Sequence, residues 1–201
     1  AALREGDERK ARKLIERAVE LSPDSGHVWT AKARVEAALG DKPRALEGWQ
    51  RAWEHAPAGA HALVAEAWAW AVEEGVQDEL AERMQASLRT AETANLVAAL
   101  AERVSRLQPE QAAAALERVA GRSPAAALSL IRLRLARGQR DLAREAAMKE
   151  IPPPMLVCRQ CAAAMPRFTF RCDACGAWDS AVALEGAGPL ERRPQPRRSE
   201  A

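Results

Sequence analysis

Two stretches of the chain are equally long and built alike: GDERKARKLIERAVELSP at residues 6–23 and GDKPRALEGWQRAWEHAP at residues 40–57. Both open with Gly-Asp, both close with Pro, and apolar residues recur between those ends. Six positions correspond at an offset of 34 residues: Gly6 and Gly40, Asp7 and Asp41, Ala11 and Ala45, Ile15 and Trp49, Ala18 and Ala52, Pro23 and Pro57. A period of this length is typical of a helix–turn–helix unit repeated in tandem.

The composition agrees with a helical protein. Alanine, leucine, arginine and glutamate dominate the 201 residues, all of them good helix formers, and tyrosine is absent. The net charge of +2 gives no field that would favour nucleic acid, because acidic and basic residues alternate as on solvated helix faces. No apolar run reaches the roughly 20 residues of a membrane span, and no signal peptide is visible. Since the chain begins inside a repeat, we expect a fragment whose membrane anchor lies upstream.

The period of 34 and the residues within it resemble the tetratricopeptide repeat. Trp29 and Ala33 match its first helix, while Trp49 and Pro57 match the body and the end of its second. Beyond residue 90 the motif residues are lost, but breaks at Pro, Gly and Ser still predict helices at about 92–107, 109–120, 124–137 and 139–149. The sequence thus predicts an all-α tetratricopeptide-type repeat solenoid over residues 1–150, truncated at its N-terminus.

His27 and His61 are 34 residues apart and therefore occupy equivalent positions in successive units. By analogy with the repeat family, that position faces the concave groove. The interpretation is a partner-binding surface, and the alternative is a set of merely exposed or edge-packed side chains. The residues assigned to this surface are His27, Thr30, Arg34, His61, Val64 and Trp68.

The cysteines form the second decisive pattern. The chain has four, in two Cys-x-x-Cys pairs separated by ten residues: Cys158 with Cys161, and Cys172 with Cys175. Each pair places two sulfurs on one tight loop, and two such loops make a tetrahedral cage that zinc or iron accepts. Two disulfides or a redox-active pair are the alternatives, but disulfide frameworks belong to short secreted chains. Four sulfur ligands leave no position for substrate, so we predict a structural site and no enzymatic activity.

Changes in composition around the cysteines set the domain boundaries. Three prolines predict a stiff linker at 151–154, a metal-binding domain follows at 155–185, and the Gly-, Pro- and Arg-rich residues 186–201 predict a disordered tail. Phe168-Thr169-Phe170 alternates like a strand entering the second loop. Gly176 follows the second pair where Ala162 follows the first, so either Ala162 is strained or the first loop has another shape.

The whole pattern resembles the lipopolysaccharide assembly protein B family. The resemblance is carried by the helical repeats, the cysteine spacing, an aromatic residue before the third cysteine and the residues after the fourth; the matching residues are Cys158, Cys161, Phe170, Cys172, Cys175, Trp178 and Asp179. It implies a C-terminal rubredoxin-like domain with one metal ion, iron or zinc, at the four cysteines. It also implies an adaptor at the cytoplasmic face of the bacterial inner membrane, which binds the membrane protease FtsH and lipopolysaccharide-synthesis proteins and controls turnover of the lipid A deacetylase.

Two alternatives stay open. The HemY-like tetratricopeptide proteins of the inner membrane can also end in paired metal loops followed by Trp- or Phe-Asp. A different class is an iron rubredoxin-type redox protein, because an iron centre with four sulfur ligands can cycle by one electron, whereas zinc cannot.

Overall fold

The computed structural model describes residues 7–149 and 155–184, and this part is mostly helical with a small sheet after the last helix. Within these ranges the α-helices are α1 (Glu8–Leu21), α2 (Gly26–Ala38), α3 (Lys42–His55), α4 (Ala60–Glu74), α5 (Gln77–Thr90), α6 (Ala94–Val104), α7 (Pro109–Val119), α8 (Pro124–Ala136) and α9 (Arg140–Ala147). The strands are β1 (Met155–Cys158), β2 (Ala164–Met165) and β3 (Ala181–Leu184). The helices predicted beyond residue 90 are confirmed as α6 to α9, with ends shifted by up to three residues.

The predicted linker at 151–154 and the predicted tail at 186–201 lie outside the described residues. Residues 7–149 are called the helical array below, and residues 155–184 the metal module. In the described part of the chain, no helix combines the length and the apolar character that crossing a membrane requires.

Aspartate and proline set the helix starts. Asp7 caps α1 and Asp41 caps α3, and each side chain accepts a hydrogen bond from the backbone N–H three residues on. These two aspartates are one sequence period apart and play the same part. Proline occupies the first turn of α7 and α8, as expected. Ser123 is the N-cap residue of α8, but its side chain makes no capping hydrogen bond.

Short loops make successive helices antiparallel, so the loops of the array gather on two edges. One edge holds Gly40, Gly75 and Gly138, each with a positive φ that glycine adopts without strain. The other edge, called the loop edge, is formed by residues 22–25, 56–59, 91–93 and 120–123. The metal module lies against the loop edge, because its residues contact the start of α2 and the turn Pro57–Gly59.

Small residues let the helices of the core approach closely. Ala33, Ala45 and Ala52 are fully buried, and a Cβ at Gly48 would stand 2.8 Å from the Ala33 Cα. Trp49 and several other large side chains fill the space beside them. Alanine and glycine therefore stand at the close contacts, and tryptophan fills the gaps.

The sheet of the metal module has the order β2-β1-β3, and both pairings are antiparallel. The strand expected at Phe168-Thr169-Phe170 is wrong: these residues form no strand, and only Arg171 makes an isolated bridge, to Trp178. The alternation has another cause. Phe168 and Phe170 both pack against the core of the array, so their shared direction reflects docking instead of strand pairing.

Candidate metal centre

The two cysteine loops, called knuckles here, have the same backbone pattern. The amide of the residue after the second cysteine donates to the carbonyl of the first, from Ala162 to Cys158 and from Gly176 to Cys172, at 2.8 Å in both cases. The first cysteine of each knuckle donates in turn to the carbonyl five residues on, at 2.9 and 2.8 Å. The knuckles are therefore repeats of each other.

The shape of the first knuckle decides between the two possibilities left open for Ala162. Its φ is +59°, close to the +74° of Gly176, so the knuckles share one conformation and Ala162 accepts a left-handed backbone. For an L-residue with a Cβ this conformation is unfavourable by about 1–2 kcal/mol. The first knuckle is strained where the second is relaxed.

The four sulfurs stand at the spacing of a metal cage. Cys158 Sγ lies 3.7 Å from Cys175 Sγ, Cys161 Sγ lies 3.8 Å from Cys172 Sγ, and all four sulfurs are within 4.8 Å of one another. A tetrahedral site with metal–sulfur bonds of about 2.3 Å requires sulfur–sulfur distances of about 3.8 Å. All four are free cysteines, so the group is positioned to bind one metal ion and is not a pair of disulfides.

The sulfurs differ in how readily they lose a proton. Burial raises the pKa of Cys158, but the Ser180 hydroxyl and the amides of Cys161 and Gln160 stabilise the thiolate more, so that its pKa falls to about 6. At Cys175 the Ala177 amide lowers the pKa, but desolvation and the neighbouring cysteines outweigh it and raise the pKa to about 12. Four thiolates at this spacing repel one another, so a cation is needed to ionise the whole set.

The cage lies near the surface of the metal module. Cys158 and Cys172 are buried, Cys161 is half-buried and Cys175 is exposed. Ser180, which sequence reasoning did not single out, is buried beside Cys158 Sγ at 3.2 Å. The one sequence signal for Ser180 is that it directly follows the Trp178-Asp179 dipeptide. Ser180 therefore helps to lower the pKa of the Cys158 thiol.

Asp179 fixes the metal module to the array. Its carboxylate accepts hydrogen bonds from the Ser25 hydroxyl and from the His27 amide, the latter at 3.2 Å. Ser25 is the N-cap of α2, so the negative charge stands where the dipole and the unpaired amides of the helix favour an anion. Asp179 has a φ of +48°, and its own amide donates to the Phe170 carbonyl at 2.7 Å. The backbone is thereby turned so that the side chain points at α2.

Aromatic rings complete this contact. The His27 ring lies 5.1 Å from that of Phe170 and 4.8 Å from that of Trp178, measured between centroids. Phe168 covers Gly59 so closely that a Cβ there would stand 2.4 Å from the phenyl ring. The dipeptide Trp178-Asp179, which is part of the pattern behind the resemblance, thus joins the metal module to the array.

Three of the expected partner-binding residues lie on α2. His27 is half-buried beneath the metal module. Thr30 is buried, with 1% of its surface exposed, and its hydroxyl donates to the Gly26 carbonyl at 2.7 Å. Arg34 is exposed and forms a two-pronged ion pair with Glu66, at 2.7 and 2.8 Å. Of the three side chains, only that of Arg34 is exposed to solvent.

The other three lie on α4. Val64 is buried with 2% of its surface exposed, and Trp68 is half-buried with the Arg103 guanidinium 5.7 Å from its ring centroid. His61 is exposed; partial desolvation lowers its pKa, and Glu102 opposes the shift. His27 and His61 therefore have different surroundings although they are one sequence period apart, because the metal module covers only His27.

No family model matches the chain, and no curated protein matches it either.

Proposed function

We propose that the protein is a non-enzymatic adaptor of the lipopolysaccharide assembly protein B type. In this proposal a tetratricopeptide-type solenoid carries a rubredoxin-like metal module, and the protein brings the membrane protease FtsH to the lipid A deacetylase at the cytoplasmic face of the inner membrane. The observation that carries the proposal is the docking of the four-cysteine module on the array through Trp178-Asp179. A metal with four cysteine ligands has no coordination position left for a substrate, so the docked module can serve as a protein-binding surface but not as a catalytic centre.

The repeat part of the proposal is supported by the packing of the array. Each helix packs on the helices next to it in the chain, and several pack on the next but one, as in stacked hairpins. Residues 34 positions apart also play the same role in their helices or contact each other. Asp7 and Asp41 cap their helices alike, and the Trp53 indole donates to the hydroxyl of Ser87, which lies 34 residues on, at 3.2 Å.

The adaptor role is tested by affinity capture from detergent-solubilised inner membranes. The full chain is expected to recover FtsH and the deacetylase, and deletion of its gene is expected to change the steady-state amount of the deacetylase. Cys172→Ser should lose both partners, while Asp173→Ser, an exposed non-ligand in the same knuckle, should keep them. Recovery of neither partner, together with an unchanged deacetylase level, would rule the adaptor out.

An electron-transfer role is the second candidate, and the exposure of Cys175 favours it. An exposed ligand places the metal close to the protein surface, where electron exchange with a partner is fast. Metal analysis and visible absorption of the purified protein separate the two. A coloured iron form that cycles reversibly by one electron supports the redox function, whereas a colourless zinc form excludes it. A HemY-like scaffold is the remaining alternative, and capture of neither FtsH nor deacetylase with an intact zinc form would favour it.

A further inference from the structure

A cleft of about 440 Å³ lies between the metal module and the loop edge of the array. One wall is the module, with strand β3 and the rings of Phe168 and Phe170. The opposite wall comes from three turns of the loop edge, around Pro57, Thr93 and Arg122. The cleft exists only where the module docks, because its walls come from both parts.

Strand β3 is an edge strand, and its outer side borders this cleft. The Arg159 amide donates to the Ser180 carbonyl at 2.6 Å, which makes those two residues a hydrogen-bonded pair. Pairs alternate along an antiparallel ladder, so Val182 bonds to β1, while the N–H and C=O groups of Ala181 and Ala183 point away from it. Both alanines line the cleft. Two donors and two acceptors, spaced as in a strand, are thus displayed to whatever enters.

One cation of the cleft, Arg159, is open to an anionic group. Arg159 and Arg122 both line it, and the Arg159 side chain is exposed and forms no ion pair within residues 7–149 and 155–184. The one carboxylate in the lining belongs to Asp179, and both of its oxygens are engaged by Ser25 and His27. Beside the free edge of β3, the cation that an acidic ligand can pair with is therefore the exposed guanidinium of Arg159.

The remaining lining suits a chain with apolar side chains. Phe168, Phe170 and Pro57 form an apolar surface next to the strand edge. Thr93 also lines the cleft, but its hydroxyl is shielded from solvent and is not offered to a ligand. Free backbone groups on β3, an apolar surface beside them and the Arg159 cation together suit an extended polypeptide as the ligand.

We infer that this cleft binds an extended segment of a partner protein, which adds to the outer edge of β3 as a fourth strand and places an Asp or Glu side chain at Arg159. The mode is strand addition, in which backbone hydrogen bonds give affinity and side-chain contacts give selectivity. The inference rests on the proposed function in taking the partner to be a protein. Its test uses purified components without the protease or the membrane, so the strand-addition inference and the adaptor proposal can fail independently.

The probe is a labelled heptapeptide of alternating valine and glutamate, acetylated and amidated so that its side chains carry the only charges. It is titrated into the full metal-loaded chain and followed by fluorescence anisotropy. We expect saturable binding that is about ten-fold tighter than for the same peptide with glutamine, because one charge-assisted hydrogen bond is lost. Arg159→Gln should bring the glutamate peptide to the glutamine level and leave the glutamine peptide unaffected.

Strand addition itself is tested at Ala183. Ala183→Pro removes an N–H that points into the cleft while the pairing with β1 is kept, as proline permits at a sheet edge. It should abolish binding of both peptides, and Ala183→Ser, which keeps the N–H, should not. If Ala183→Pro also loses metal, a probe with alternate backbone amides methylated gives the same test on the wild-type chain, and its binding should be lost.

Equal binding of methylated and unmethylated probes would overturn the inference, as would failure of the wild-type chain to bind the glutamate probe. Binding only of peptides with a free C-terminal carboxylate would also overturn it, since the occupant would then be a chain end and not an internal acidic segment.

Discussion

Replacing Asp179 by asparagine tests whether its carboxylate holds the metal module on the array. Asparagine keeps the size of the side chain and tolerates the positive φ of +48° found there, so the backbone turn is preserved. The charge is lost, and one of the two acceptor oxygens becomes an NH2 group; if the amide oxygen stays at the His27 amide, this NH2 group faces the Ser25 oxygen, to which it can donate. Hydrogen bonds to a charged group contribute about 1 kcal/mol more than neutral ones, so two of them amount to about 2 kcal/mol of docking free energy.

A loss of about 2 kcal/mol shifts the docking equilibrium about 30-fold. The His27 amide reports this directly, because it is the donor to the carboxylate, and the Asp179 amide is a second reporter through its bond to Phe170. Hydrogen exchange at both amides should accelerate by up to that factor, while amides in the middle of α4 and α5 keep their rates. Asp173→Asn removes the same charge from an exposed position of the second knuckle and should change neither reporter.

The reasoning would be refuted if Asp179→Asn kept its full metal content and the wild-type exchange rate at His27. In that case the aromatic contacts of His27 with Phe170 and Trp178 would suffice to hold the module, and the carboxylate would add nothing. A large loss of metal in the same variant would contradict a second assumption, namely that Asp179 is not a metal ligand and affects only docking.

Three further outcomes are expected. Gly59→Ala should destabilise the docked state by about 1–3 kcal/mol in urea unfolding, because its Cβ meets Phe168, whereas Gly121→Ala, with open space around it, should not. Ala162→Gly should stabilise the metal module by about 1 kcal/mol against chelator-driven unfolding, since it relieves a left-handed backbone; a neutral or destabilising result would mean that the φ of +59° is not strained. The apparent metal affinity should fall as the pH falls, because protons compete for the sulfurs, and a plot of its logarithm against pH should steepen by about one proton below pH 6, where the low-pKa thiol of Cys158 also becomes protonated. A slope that stays constant through pH 6 would contradict that assignment.

Much of the helical part was predictable because local chemistry decides it. Proline, aspartate and glycine at the helix ends fix their start or stop within a few residues, whatever the tertiary structure does. The cage was predictable for the same reason. Each Cys-x-x-Cys pair forms its own knuckle, and only the meeting of two knuckles is non-local.

What the sequence did not predict depends on contacts between distant segments. The burial of Thr30 and Val64 could not be inferred from a 34-residue period, which relates equivalent positions but does not say what covers them. Phe168 and Phe170 alternate as strand residues do, and nothing local distinguishes a strand from a segment that docks two rings on a neighbour. The pairing of Asp179 with the start of α2 has no local signal of any kind.

The contact between Ser25 and Asp179 also bears on the order of folding. It joins residues 154 positions apart, and closing such a loop in an unfolded chain is opposed by about 4.5 kcal/mol of entropy, beyond a constant term. Once the helices have stacked, the start of α2 and the end of α9 already have fixed positions, and most of that entropy has been lost in building the array. The module is also the part of the described chain that leaves the ribosome last. Docking is therefore expected as the final step of folding, and a docked module would report to any partner that the array beneath it is complete.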